Sequence, residues 1–308
     1  MTDKILHMGK VQEKLDILAQ ATVNKIEREW PARYQHLPFA QGFLGLSMKL
    51  ARHTYRTVFY LCADQRLTEH DWKWEYTLCL PALNRNLLDS LFNIVFMLED
   101  LELRSGWYHQ SGWREARLEY ERYQGQYGGD PAWSLWFDGV NSLLAQGVQH
   151  FGITSSELTG PAQKADWPNP GRMPNYGVDP TNRPPDREYL AYLNDWFYRE
   201  MSAESHLSFF GLTKLGALLL RHDLPEQYSE RVVNEFYPKH RAVQVSRTAI
   251  LLLSLISEIE NHFGFGLNLR AIELWRFLTD SVPEADEIFK KRYKAFWPVP
   301  TLITDSVK

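Results

Sequence analysis

Tyr198, Ser202 and His206 stand four apart in YREMSAESH, so on a helix a phenol, a hydroxyl and an imidazole line one stripe. A second stripe runs through LNRNLLDSLFN, where Arg85, Asp89 and Asn93 recur at the same step. The residue types suit acid–base or anion-binding chemistry. An imidazole titrates near neutrality and carries protons, while a phenol or guanidinium stabilises developing negative charge. Ser202 would orient the ring or serve as a nucleophile. Arg85 and Asp89 can satisfy each other along their helix, and the guanidinium keeps donors for a partner on the Tyr198 helix. The structural alternative is a buried polar network that holds two helices in register.

Helices must position both stripes. Apolar residues surround the segment from about Asp71 to Glu99, including Leu87, Leu88, Leu91, Phe92 and Ile94 to Leu98, which marks a buried helix with Pro81 as a kink or fresh start. The Tyr198 helix spans Asp186 to Arg221. Ahead of these, Ile5, Met8, Val11, Leu15, Leu18, Thr22 and Ile26 recur at three or four and define an amphipathic helix that Pro31 ends. It would pack on the body or on a second copy, so a homo-oligomer through this helix is the partner expectation. A helix from Phe43 to about Cys62 follows. Gly106 is expected to break the pattern before the charged helix WREARLEYERYQ, and Asp130 with Pro131 to open a helix through His150. Further helices are expected over Pro225 to Phe263, stopped by GFG at 264–266, then Asn268 to Asp280 and Pro283 to Phe296.

Residues 155–187, with PAQKADWPNPGRMPNYGVDPTNRPPD, are too rich in Pro, Asn and Gly for a helix. A loop this long is commonly a functional lid or a disordered linker; as a lid, residues 157–187 would place Trp167 over the paired stripes. No strand alternation or internal repeat is present. The expectation is an all-α, irregular multi-helix bundle with a long Pro-rich loop between two helical halves. It divides into residues 1–32 as an N-terminal amphipathic helix, 33–265 as a helical core domain and 266–308 as a C-terminal helical extension.

Together the stripes resemble a family. LNRNLLDSLFNIVFML followed by Tyr-x-x-Met-Ser-x-x-x-His is similar, over roughly residues 40 to 265, to the bacterial family named domain of unknown function 5677. There an Arg-x-x-x-acid helix pairs with a Tyr-x-x-Leu-Ser-x-x-x-His helix. The resemblance implies an all-helical fold and assigns the family positions to Arg85, Asp89, Tyr198, Ser202 and His206. Asp89 stands where the family carries Glu, so its carboxylate reaches one methylene less, and Met201 replaces Leu. No reaction comes with the resemblance.

The totals narrow the classes. A net charge of −4 over 308 residues argues against holding nucleic acid or an anionic membrane by bulk attraction. Cys62 and Cys79 form no cysteine framework, which fits a reducing, cytoplasmic compartment. MTDKILHMGKVQEKLD lacks an unbroken apolar region, so no secretory leader is expected. The apolar runs at 91–98 and 249–256 fall short of the roughly 20 residues of a bilayer crossing. Aromatic residues make up 14%, with Trp clustered over 107–136, which fits a thick core or a flat-ligand pocket.

Other chemistry finds less support. Arg104 and His109 in RSGWYH match the Arg-x4-6-His spacing of HEPN ribonucleases, although Gly106 disturbs the helix that would present them. A carboxylate-bridged metal pair wants Glu-x-x-His, whereas Glu204-x-His206 and Glu260-x-His262 point their ligands to different sides. Neither a metal nor a cofactor is expected, since no Walker loop, GxSxG, HExxH or CxxC occurs and GFGLNL at 264–269 reads as a helix stop. Arg172, Arg183 and Arg187 in the long loop could grip phosphate. The first expectation is a small-ligand or catalytic site built from the two stripes. The alternatives are a structural or interaction component of a stress or phage-defence system, and an HEPN-like, metal-independent ribonuclease.

Overall fold

Apolar residues at helical spacing dominate the chain, and the computed structural model turns them into an all-α fold. It describes residues 2–62, 75–205, 225–231 and 235–297, and among these there is no strand. In chain order the helices are α1 (Thr2–Arg28), α2 (Pro38–Cys62), α3 (Glu75–Leu98), α4 (Leu101–Tyr127), α5 (Ser134–His150), the short α6 (Ser155–Thr159), α7 (Pro185–Leu193), α8 (Arg199–Ser205), α9 (Glu226–Arg231), α10 (Tyr237–Phe263), α11 (Asn268–Ser281) and α12 (Pro283–Ile288).

The centre is α3 against α10, flanked by α1, α2, α7 and α8. Leu87 to Leu98 on α3 and Ala249 to Ile259 on α10 supply most of its apolar contacts. Burying each such Leu or Ile contributes roughly 1.5–3 kcal/mol, which outweighs the weak helix propensity of their branched members. Helix α10 from Pro238 onward is long and apolar enough to cross a bilayer, but 83% of its most apolar window is buried inside the fold, as for a core helix. Helix α1 buries Val11, Leu15, Leu18, Thr22 and Ile26 and packs on α2, α10 and α11. That stripe is therefore used within the chain.

Chain ends and turns follow local chemistry. Gly264 takes φ 67° to cap α10, a left-handed conformation that glycine adopts without strain. The Glu260 carboxylate then accepts the Gly266 and Leu267 amides at 3.0 and 2.9 Å and turns the chain into α11. Asp100 caps α4 through the Leu103 amide, and Asp130 accepts the Ala132 amide ahead of α5.

Several expected boundaries move. Gly106 does not break α4, because one exposed glycine costs only about 1 kcal/mol and Leu101, Ser105, Trp113 and Tyr120 bury the rest of the face. Pro81 lies inside α3 and does not end the helix. The helix expected from Asp186 is interrupted by a π-helical turn, Asn194–Tyr198, and a second π turn, Phe289–Tyr293, follows α12. Within Pro225 to Phe263 the structure describes α9 and α10, and residues 232–234 between them lie outside the described residues.

Helices α4, α5 and α6 carry a separate small cluster around Trp113, Tyr120, Leu144 and Ile153. Trp113 donates its indole N–H to the Leu144 carbonyl at 2.9 Å and lies directly over Gly147. The Pro-rich segment after α6 is laid down as a strap. Its Asp166 and Trp167 amides donate to Ser111 Oγ, a 3₁₀ turn forms at Met173–Asn175, and Arg187 ties its end to Glu99 at 2.7 Å.

Candidate functional site

The seam between α3 and α8 brings the two polar stripes together. Arg85 Nε donates to Asp89 Oδ1 at 2.9 Å along α3, and the guanidinium carbon lies 3.4 Å from the centre of the Tyr198 ring. Phe92 meets the other edge of that ring at 5.6 Å. The Arg85 side chain is 12% exposed and Asp89 36%, so the pair sits at the mouth of the seam. Arg85 Nη1 is buried and, among the described residues, has no hydrogen-bond acceptor. Tyr198 is the last residue of the π turn. Such turns insert one residue into the helical ladder and recur at functional sites; here the turn delivers the phenol ring beneath Arg85.

Electrostatics set the state of that phenol. Burial pushes the Tyr198 pKa up, Arg85 draws it down and Asp89 raises it again, with a net rise. The phenol is therefore neutral at physiological pH and available as a hydrogen-bond donor. Ser202 is half-buried on α8 one turn further on, and its carbonyl receives the Ser205 hydroxyl at 3.5 Å. His206 lies outside the described residues. Of the five residues the sequence nominates, Arg85, Asp89 and Tyr198 are assembled and Ser202 shares their helix pair.

The strap reaches the α3 stripe only at Asn93, whose Oδ1 accepts the Trp167 indole N–H at 2.8 Å. Asn93 is eight residues beyond Arg85, about 12 Å along a helix. The Trp167 ring packs edge-on to Phe96, Trp107 and Tyr108, so it closes the α3–α4 groove and does not cover the Tyr198 ring as a lid would.

Sequence reasoning missed a second polar layer beside the seam. Asn84 donates to the Gln244 carbonyl and side chain at 2.9 and 3.0 Å and accepts from Thr248 at 2.6 Å. Gln244 donates to the buried Glu204 at 3.4 Å. Arg247 joins Glu200 at 2.9 Å to Glu284 at 2.8 Å. These groups link α3 and α8 to α10 and α12 as a register lock does, with Arg247 Nη1 left buried without a hydrogen-bond partner among the described residues. The available signal was polar residues at 244, 247 and 248 just ahead of an apolar run.

The ribonuclease pair is not assembled. Arg104 is bound to Glu99 and to the Phe96 carbonyl, while His109 stacks on Phe151 at 5.1 Å with the rings 8° apart. Five residues apart on one helix, the two side chains point about 140° apart. Burial lowers the His109 pKa, favouring the neutral ring. The loop arginines do not converge either: Arg187 is buried on Glu99 and the Met173 carbonyl, Arg183 donates to Asn175 at 2.9 Å, and Arg172 is exposed. Among the described residues no group of His, Cys, Asp and Glu is arranged to hold a metal ion. Compared with protein-family models, curated proteins and solved structures, the chain matches none.

Proposed function

We propose that the α3–α8 seam binds a small anionic molecule, with Arg85 as its charged donor and the neutral Tyr198 phenol as a second donor. The observation that carries this reading is the buried Arg85 Nη1, which has no acceptor among the described residues. A buried donor left unpaired costs about 1–3 kcal/mol, more when charged, and a carboxylate or phosphate oxygen is the natural group to offset it. The guanidinium is pre-aimed for that role, because Asp89 fixes its Nε edge and the Tyr198 ring fixes its plane. The residues involved are those that carry the resemblance to the domain-of-unknown-function-5677 family, and membership of that family forms part of the proposal.

The test is thermal unfolding in the presence of inorganic phosphate, acetate and a panel of phosphorylated and carboxylated metabolites. A ligand at one hundred times its Kd stabilises by about 2.7 kcal/mol. The reading expects at least one anion to raise the melting temperature of the wild-type chain and to leave Arg85→Met unmoved. Equal stabilisation of both proteins by every anion tried would refute it.

A further inference from the structure

Helix α2 carries an exposed stripe that none of the described residues packs against. Leu46, Leu50, His53, Thr57 and Tyr60 recur at steps of four, three, four and three, the spacing of a coiled-coil seam. Leu46, Leu50 and Tyr60 are 68%, 59% and 61% exposed. Beside the upper end of the stripe is a shallow depression of about 310 Å³, lined on α2 by Pro38, Gln41, Gly42, Gly45, Leu46 and Lys49 and on the α1 side by Glu27; Gly42, Gly45, Leu46 and Lys49 among them stand at i, i+3, i+4 and i+7. Residues at i, i+3, i+4 and i+7 are the four corners of the hole that accepts a knob from a facing helix.

The two glycines make the depression, and the fold requires neither. A Cβ added at Gly42 would meet nothing within 4 Å, and one at Gly45 would make an ordinary 3.7 Å contact with Ile26. Glycine weakens a helix interior relative to alanine, so two such positions in one helix leave a hole that packing does not explain.

Charge selects the occupant. Residues 38–62 contain no Asp or Glu, and Lys49 and Arg56 flank the stripe on one side, seven residues apart. Lys49 reaches Glu27, while Arg52 is taken by Asp16 and Gln20. A second copy is disfavoured, because antiparallel pairing sets Lys49 and Arg56 against their own counterparts and parallel pairing sets them opposite Ser47, Thr54 and Leu61. An anionic bilayer is disfavoured by the net charge of −4. We propose that the exposed face of α2 docks an amphipathic helix of another protein, with apolar residues at heptad spacing and Glu or Asp on its flanks, one apolar side chain filling the Gly42–Gly45 hole. This surface is independent of the α3–α8 seam.

The experiment is fluorescence anisotropy of the full chain with two labelled three-heptad peptides, Leu at the core positions and either Glu or Lys at the flanks. The Glu peptide is expected to bind at least about tenfold more tightly than the Lys peptide, in line with flank charges setting partner choice. Gly42→Leu, which fills the hole, is expected to weaken that binding at least about tenfold with no fall in melting temperature. Lys49→Glu combined with Arg56→Glu is expected to reverse the peptide preference. Equal binding of both peptides, or binding of neither, overturns the proposal. So does a dimer in sedimentation that Gly42→Leu dissociates, or binding to phosphatidylserine vesicles that Leu46→Glu abolishes.

Discussion

Arg85 is held by interactions of modest strength, and that modesty separates a site from a strut. The pair with Asp89 is an i,i+4 contact worth about 0.3–0.5 kcal/mol, and a guanidinium over a partly desolvated ring adds roughly 0.5–2 kcal/mol. Arg85→Met is therefore expected to lower stability in urea by about 1–2 kcal/mol. A loss of 3–5 kcal/mol, the size seen when a fully buried pair is broken, would make the residue a structural lock. These three side chains were legible because a charge in an apolar helix stands out at helical spacing. Asn84 and Gln244 were not, since two amides that meet across 160 positions leave no periodic trace. Elsewhere, burial and the nearby Arg33 depress the His262 pKa to about 4, against about 6.5 unfolded. The unfolded chain binds the proton more tightly, so this contribution is complete above pH 6.5 and is lost as pH falls towards 4. After discounting for part-exposure it is on the order of 1–2 kcal/mol. Unfolding free energies of wild type and His262→Gln should differ in slope across that window, the variant falling less; parallel profiles would contradict the assignment.

Among the elements, α4 and α5 show how a small residue sets a helix–helix approach. A Cβ on Gly147 would overlap the Trp113 indole, which is itself fixed by its bond to the Leu144 carbonyl. Gly147→Ala is expected to cost about 1–3 kcal/mol through overpacking, measurable as a lowered melting temperature; a neutral result would mean the hairpin relaxes around Trp113. The same scale explains where periodicity succeeded and failed. Apolar spacing located α1, α3 and α10, because their packed faces are long and continuous. It placed a false break at Gly106 and a continuous helix through Asn194–Tyr198, because a single glycine is too weak to stop a packed helix and a π turn adds one residue without changing the composition. The Pro-rich strap was legible as irregular backbone, whereas its anchoring through Ser111 and Asn93 depends on tertiary contacts alone.

Across the whole molecule, buried ion pairs join the C-terminal helices to the core. Arg292 pairs with Glu258 at 2.8 Å and with Asp186 at 2.6 Å, and Tyr293 donates to the same Glu258 at 2.9 Å. Removing Arg292 strands the buried Glu258 carboxylate, so Arg292→Met should lose about 3–5 kcal/mol, and adding Glu258→Gln should restore much of it. Strictly additive losses in the double variant would argue against direct coupling. The all-α class followed from composition and periodicity, while this tie between distant segments had no local signature. With the frame held in this way, the central claim is the proposed anion capture by Arg85 in the α3–α8 seam. Its most direct measurement is NMR of the arginine side chains in ¹⁵N-arginine-labelled protein, titrated with inorganic phosphate and with acetate. A saturable shift of the Arg85 Nε–Hε resonance, absent for the other buried arginines and altered in Tyr198→Phe, is the predicted result. An Arg85 signal that stays still at millimolar anion, or moves no more than that of exposed Arg172, would contradict it.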